Sequence, residues 1–294
     1  MKDKICIVTG ASSGLGKATA ELLAGLGANV IMTSRLNERG KSAYNQINNI
    51  APGKVSWIPA DLSSLKSVRA LFDVINKKCE KINFLFNCAG VILIKRNVTA
   101  DGYERMFVTN YLSNFLLTNL LYKKLLAGSP SKVITVSGRG HKPSLTEGIN
   151  KGTIDFNDLQ GEKHFSFPKA AKQAVLAKIM FTYELARKWQ SAGIEICTVC
   201  PGLVKTNIVS HLPRYVKDYM AVRFIIQNAQ NPHEGASHLI TLAIMKENIN
   251  GKYFEGSRNK LKEARSLDES YDRNSMEKLW KVSELLVGQK FEYK

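Results

Sequence analysis

The chain has 294 residues, 44% of them hydrophobic, enough to bury a core of one large α/β domain. Its net charge of +17 is spread over scattered lysines and arginines, with no basic stripe of interleaved aromatics, so no nucleic-acid partner is expected. Five cysteines, an odd number with a single C-x-x-C at Cys197 and Cys200, argue against a disulfide framework and against a zinc site, and point to a reducing, cytoplasmic setting.

In chain order, Lys4 to Val8 is an apolar run of strand length, and Lys17 to Leu26 has helical periodicity. Between them stands Thr9-Gly10-Ala11-Ser12-Ser13-Gly14-Leu15-Gly16. A glycine-rich turn between strand and helix suits a dinucleotide. Gly10 permits the tight turn, Gly14 clears space for a pyrophosphate, and Gly16 lets helix and strand approach, with the phosphates at the helix N-terminus. Strand two is Asn29 to Thr33, followed by a polar helix from Asn37 to about Asn49 that Pro52-Gly53 breaks. Strand three is Val55 to Pro59. The next helix, Leu65 to Lys78, has Val68, Leu71, Phe72 and Ile75 on its apolar face; strand four is Ile82 to Phe86. Gly102 to Leu126 reads as one long helix, Lys132 to Val136 as strand five, and a loop-rich insert runs to about Phe167. Lys169 to Gln190 is a helix and Ile194 to Val199 strand six, stopped by Pro201-Gly202. The remainder is expected to be helical apart from one short strand at Lys252-Tyr253-Phe254. Strands alternating with helices predict a single-domain, doubly wound parallel sheet of Rossmann type. No apolar run approaches membrane-spanning length, and the first strand begins so soon after Met1 that no signal peptide fits; peripheral membrane contact stays open. A monomer or homodimer is expected.

These motifs together resemble the short-chain dehydrogenases/reductases across nearly the whole chain. Thr9 to Gly16 matches the family's T-G-x-x-x-G-x-G, Asn87-Cys88-Ala89-Gly90 stands for N-N-A-G, and Pro201 to Thr206 for P-G-x-V-x-T. Asp61-Leu62 matches the pair that contacts adenine in that family, and Asn110 its helix asparagine. Asp101 to Glu104, Asn110 to Thr118, Phe181 to Arg187 and Leu279 to Leu285 are most similar to the retinol-dehydrogenase type. The resemblance implies a nicotinamide cofactor held by Gly10, Ser12, Ser13, Gly14, Leu15, Gly16, Arg35, Asp61, Leu62, Asn87, Ala89, Gly90, Pro201, Gly202, Val204 and Thr206. Ser34-Arg35 follows strand two where an acidic residue would take the ribose hydroxyls of NAD; the arginine fork suits the 2′-phosphate of NADP, with Lys17 adding charge.

The catalytic positions depart from the family. Its serine, tyrosine and lysine fall, by matching both flanks, on Gly138, Ala171 and Val175. Ser137 is the neighbour of the serine position, and Lys169 and Lys172 are expected to point into solvent, away from Ala171. Asn110, Ser137, Arg139 and His141 are the polar residues left nearby, and Asn110, Ser137 and His141 the candidate catalytic groups. Phe167, Ala171 and Val175 share one helix face, which predicts a widened apolar pocket. Residues 203 to 231, with Leu212, Tyr215, Tyr219, Met220, Phe224 and Ile225, are expected to form a substrate lid for a bulky apolar molecule, and 251 to 294 a C-terminal strand and helix extension. Three readings stay open: an NADP-binding scaffold repurposed for a cyclisation or isomerisation, a cofactor-binding pseudoenzyme, and an oxidoreductase with a relocated proton donor.

Overall fold

The computed structural model describes residues 1–51, 54–143, 151–205, 229–258 and 260–293. Pro52-Gly53, Thr206 and the lid residues from Leu212 to Ile225 lie outside them.

The chain opens with β1 (Ile5–Thr9), α1 (Gly14–Gly25), β2 (Asn29–Ser34), α2 (Glu38–Ile50), β3 (Val55–Pro59), α3 (Leu65–Lys78) and β4 (Phe84–Asn87). Local chemistry sets these boundaries. Asn37 caps α2 by accepting from Gly40 N–H, and Ser64 caps α3 by accepting from Ser67 N–H. The expected long helix is segmented: α4 (Arg105–Phe107), a π-helical turn (Val108–Leu112), α5 (Ser113–Leu120) and α6 (Tyr122–Ala127). Then come β5 (Ser131–Val136), a 3₁₀ turn (Arg139–His141), α7 (Phe167–Lys188), β6 (Ile194–Cys200), α8 (Pro232–Ile244), β7 (Lys252–Ser257), β8 (Lys260–Glu263), a second 3₁₀ turn (Asp268–Tyr271) and α9 (Arg273–Val287).

The strands form one sheet in the order β3-β2-β1-β4-β5-β6-β7-β8. All neighbours are parallel except β7 and β8, which pair antiparallel with Phe254 opposite Glu263. β8 corrects the expectation of a single C-terminal strand. Its sequence, Lys-Leu-Lys-Glu, carries one apolar residue and three charges, so it lacks the hydrophobic alternation by which a strand is read and behaves as a protected sheet edge.

Each face of the sheet carries its own apolar layer. α1, α2 and α8 pack on one face through Leu23, Ile47 and Leu239, and α3, α5, α7 and α9 on the other through Ile75, Phe115, Met180 and Trp280. Strand order reverses between β1 and β4, which opens a crevice at their carboxyl ends, where sheets of this kind take ligands.

Candidate cofactor and active site

The crevice is built by close backbone approach. Gly10 has φ of +69°, and a Cβ on it would lie 2.8 Å from Ala89 Cα. A Cβ on Gly16 would lie 2.6 Å from the Gly10 carbonyl oxygen. The side chain of Thr9 fixes the neighbouring turn: its Oγ1 accepts from Cys88 N–H (3.0 Å) and Ala89 N–H (3.1 Å). Asn87, fully buried, donates to Thr118 Oγ1 (3.1 Å) and Thr135 Oγ1 (3.4 Å), tying β4 to α5 and β5.

This cradle fits a dinucleotide. Ser13, the N-cap of α1, makes no side-chain cap, and no acidic residue stands in the first turn, so the helix presents its N–H groups and positive end to an anion. Beside it runs an open groove lined by Ser12, Ser13, Gly14, Lys17, Arg39, Ser42 and Gln46. Lys17 Nζ donates to Gln46 Oε1 (2.6 Å) and pairs with Glu21 (3.2 Å). Arg35 is exposed just past β2. Arg39, in the first turn of α2, is a cation at this groove besides Lys17 that the motif reading missed; the packing of α2 against α1 brings it there.

The other expected contact residues frame the crevice. Asp61 is exposed, with Oδ1 accepting from Ser63 N–H (2.9 Å), and Leu62 is buried beneath it. Gly90 is exposed at the end of the β4 turn. Gly202 has φ of +86°, with its Cβ direction blocked by the Gly256 carbonyl at 2.6 Å. Pro201 is held through its carbonyl by Gln230 Nε2. Val204 and Leu15, at the start of α1, both close on Gly235, where a Cβ would lie 2.7 Å from Val204 Cγ2 and 3.1 Å from Leu15 Cδ1.

Gly138, Ala171 and Val175 converge. Every residue of α7 from Lys172 to Thr182 is buried except Val175, which like Ala171 is half-buried. Among the described residues, a Cβ on Gly138 would meet only Gly140 N and Val175 Cγ2, both at 4.0 Å. The wall is therefore apolar, with room for side chains.

Each polar candidate is held by a backbone group. Ser137 Oγ donates to the Val175 carbonyl (3.2 Å). Asn110, in the π turn, is spent on Val91: Nδ2 donates to its carbonyl (2.9 Å) and Oδ1 accepts from its N–H (2.7 Å). His141 is fully buried, with Nδ1 2.8 Å from the Gly138 carbonyl and its ring edge-on to Tyr253. Burial pushes its pKa down, so the ring is neutral at pH 7 and Nδ1 carries the donated proton. Nε2 has no hydrogen-bond partner among the described residues. Tyr183 is engaged elsewhere, 2.6 Å from Ser266 Oγ and stacked on Tyr271.

Of the lysines on α7, Lys172 and Lys178 depart from the sequence reading, and Lys169 keeps a partly exposed side chain. Lys169 pairs with Asp155 at 2.7 Å. Lys172, expected in solvent, is only 5% exposed, because residues 151–161 wrap the outer face of α7: Gln173 bonds Asp155 N–H and the Leu159 carbonyl there. Lys178, which the motif reading passed over, is buried with Nζ 3.0 Å from the Val136 carbonyl. Among the described residues, no group of three or more His, Cys, Asp or Glu could hold a metal ion, and no helix is long and apolar enough to cross a membrane.

The comparisons agree with this geometry. The sequence model of the family described as short chain dehydrogenase matches residues 4–147. Retinol dehydrogenase 14 of Mus musculus is 34% identical over 306 residues, covering 98% of this chain and 87% of the relative. Retinol dehydrogenase 13 of Mus musculus is 36% identical over 293 residues, covering 97% and 84%. Among solved structures, an uncharacterised protein from Mycobacterium paratuberculosis superposes with a TM-score of 0.78 at 28% identity, covering 99% of this chain and 96% of that one. A glycine cradle at the switch point of a parallel sheet, and relatives matched over almost its full length, place the chain in the short-chain dehydrogenase family, where it is retinol-dehydrogenase-like.

Proposed function

We propose that the protein binds NADP(H) and uses the adjoining apolar pocket for a non-redox conversion, a cyclisation or isomerisation, of a bulky apolar small molecule. The observation that carries this reading is the Gly138–Val175 wall: the pocket side of α7 offers no hydroxyl, Ser137 and Asn110 spend their side-chain polar atoms on backbone, and His141 is buried and holds the Gly138 carbonyl through Nδ1. When bound, a nicotinamide supplies hydride transfer in this family. Carbonyl reduction also needs a proton for the substrate oxygen, and general acid–base catalysis is worth about 10²–10⁴ in rate. Without that donor, what the pocket retains is shape and orientation, which can promote a rearrangement of a folded apolar substrate. Arg35, Arg39 and Lys17 favour the 2′-phosphate of NADP, and five free cysteines fit a cytoplasmic protein.

A second reading, an NADP-dependent oxidoreductase of retinol-dehydrogenase type with a relocated proton donor, is favoured by the names of the relatives. One experiment separates them. Gly138→Ser, Ala171→Tyr and Val175→Lys introduced together are expected to create carbonyl reductase activity, with single substitutions doing little because such groups act as a unit. Gly138 has φ of −155°, which serine adopts freely, and its Cβ direction is open. A folded triple variant that binds NADPH and reduces nothing contradicts the assignment of these three positions. Wild-type turnover of aldehydes moves the conclusion to the second reading.

A further inference from the structure

Lys178 has no place in the motif reading, yet its chemistry is the most unusual on α7. Burying an ammonium is costly unless it is paired. Here the amine donates to one carbonyl, that of Val136, and the group acting on it electrostatically is Cys88 at the end of β4. Burial pushes the Cys88 thiol up to about 12, so it stays neutral and supplies no counter-charge. Burial likewise pulls the amine down to about 8.

Its location is specific. Positions 171 and 178 lie seven residues apart, only about 20° from each other around a helix, so Lys178 rises beneath Ala171. Helical side chains lean toward the N-terminus, which brings this amine back toward the level of Val175. The contacts agree: consecutive residues of the strand end meet α7 in order, Val136 through the Lys178 amine, Ser137 through the Val175 carbonyl, and Gly138 facing the Val175 side chain. The buried amine therefore lies near Val136 at the end of β5 and Cys88 just past β4, the two strand ends from which Gly138 and Ala89-Gly90 continue.

We propose that Lys178 is the cation that holds the nicotinamide ribose in this chain, its amine entering the crevice floor from one turn below the position where Val175 leaves no charge. The inference rests on the NADP(H)-binding reading above and holds whichever reaction the pocket performs. Bound nucleotide then supplies what the buried amine lacks: hydroxyl acceptors and nearby phosphate charge. Lys178 is a binding and positioning residue; it donates no proton to substrate in this account.

The test is fluorescence titration with NADPH at pH 7 and pH 9, on the wild-type chain and on Lys178→Met and Lys178→Gln. Wild-type affinity is expected to fall about tenfold between the two pH values, because nucleotide recruits the charged amine and less of it is charged above about 8. The other groups around it hold constant over this range. Cys88 of β4 and Cys200 of β6 remain thiols, His141 after β5 remains neutral, and Arg139 remains charged. Both variants are expected to bind NADPH about tenfold more weakly at pH 7 and to lose the pH dependence, while melting at or above the wild-type temperature because an unpaired buried charge is gone. Adding Val175→Lys to Lys178→Met is expected to restore affinity. Variants that bind as the wild type does, with the same pH profile, overturn the inference and leave the cofactor reading standing. A wild-type chain that binds neither NADPH nor NADH overturns the cofactor reading itself.

Discussion

Arg35 and Arg39 are the two arginines to which the NADP(H) proposal gives the 2′-phosphate. Arg35 extends from the end of β2 without an acidic neighbour in sequence, and Arg39 lines the same groove as Ser12, Ser13 and Lys17. A planar guanidinium meets a phosphate through two parallel hydrogen bonds, each charge-assisted. Arg35→Ala is therefore expected to weaken NADPH binding about tenfold and to leave NADH nearly unchanged, in line with roughly 1.5–3 kcal/mol for a hydrogen bond to a charged group. Titration of both reduced cofactors checks this; equal losses for the two would remove Arg35 from the 2′-phosphate site. The first of these arginines was legible in the sequence because it follows a strand directly. The second was not, since its role depends on the packing of α2 on α1. Lys172 and Lys178 were misread or missed for a related reason: a helical wheel assigns one buried face, whereas α7 is enclosed on several sides by the sheet, by α9 and by residues 151–161.

Among the elements, the β1–α1 unit was the most legible, because its glycines answer a steric demand that no other residue meets. Gly16→Ala places a Cβ 2.6 Å from a backbone oxygen that cannot swing aside. Overpacking of this kind costs about 1–3 kcal/mol. The expected result is a lowered melting temperature together with loss of nucleotide binding, since the cradle must shift. Gly140→Ala is the control: no atom of the described residues lies within 4 Å of its Cβ direction. Equal effects of the two would show that the close approach at Gly16 is not what shapes the cradle. The sequence also carried the doubly wound parallel sheet, through alternation of strands with amphipathic helices. It did not carry β8, whose charged residues pair only because β7 offers an edge, nor the π turn at Val108–Leu112, where Asn114 Nδ2 takes the Asn110 carbonyl at 2.8 Å. Both are settled by neighbours distant in sequence or by a local deviation from 3.6 residues per turn, and neither leaves a periodic trace.

For the molecule as a whole, two features connect the site to stability. The loop after β5 is fastened to β7 by Glu255, which meets Arg139 and Lys142 at 2.8 Å each. Burial works against its charge, but the two cations outweigh it and hold the carboxyl at about 2, below its ordinary 4.5. A depressed carboxylate contributes stability fully above its unfolded pKa and loses it as pH falls toward the folded one. The stability difference between the wild type and Glu255→Gln, from urea unfolding, is thus expected to be constant between pH 7 and pH 5, to shrink below about 4.5 and to vanish near 2. A difference that persists at the acid end would mean that packing, not charge, ties the loop. The second feature is the juxtaposition of a glycine-built cradle with an apolar pocket wall. The measurement that tests it most directly is to titrate NADPH into the wild-type protein by fluorescence and, in the same sample, follow its absorbance after adding retinal or a simple aldehyde. The account predicts saturable binding that raises the melting temperature, with no appreciable oxidation of the nucleotide. Failure to bind NADPH, or turnover on the order of 1 s⁻¹ or faster, within the ordinary enzyme range, would contradict it.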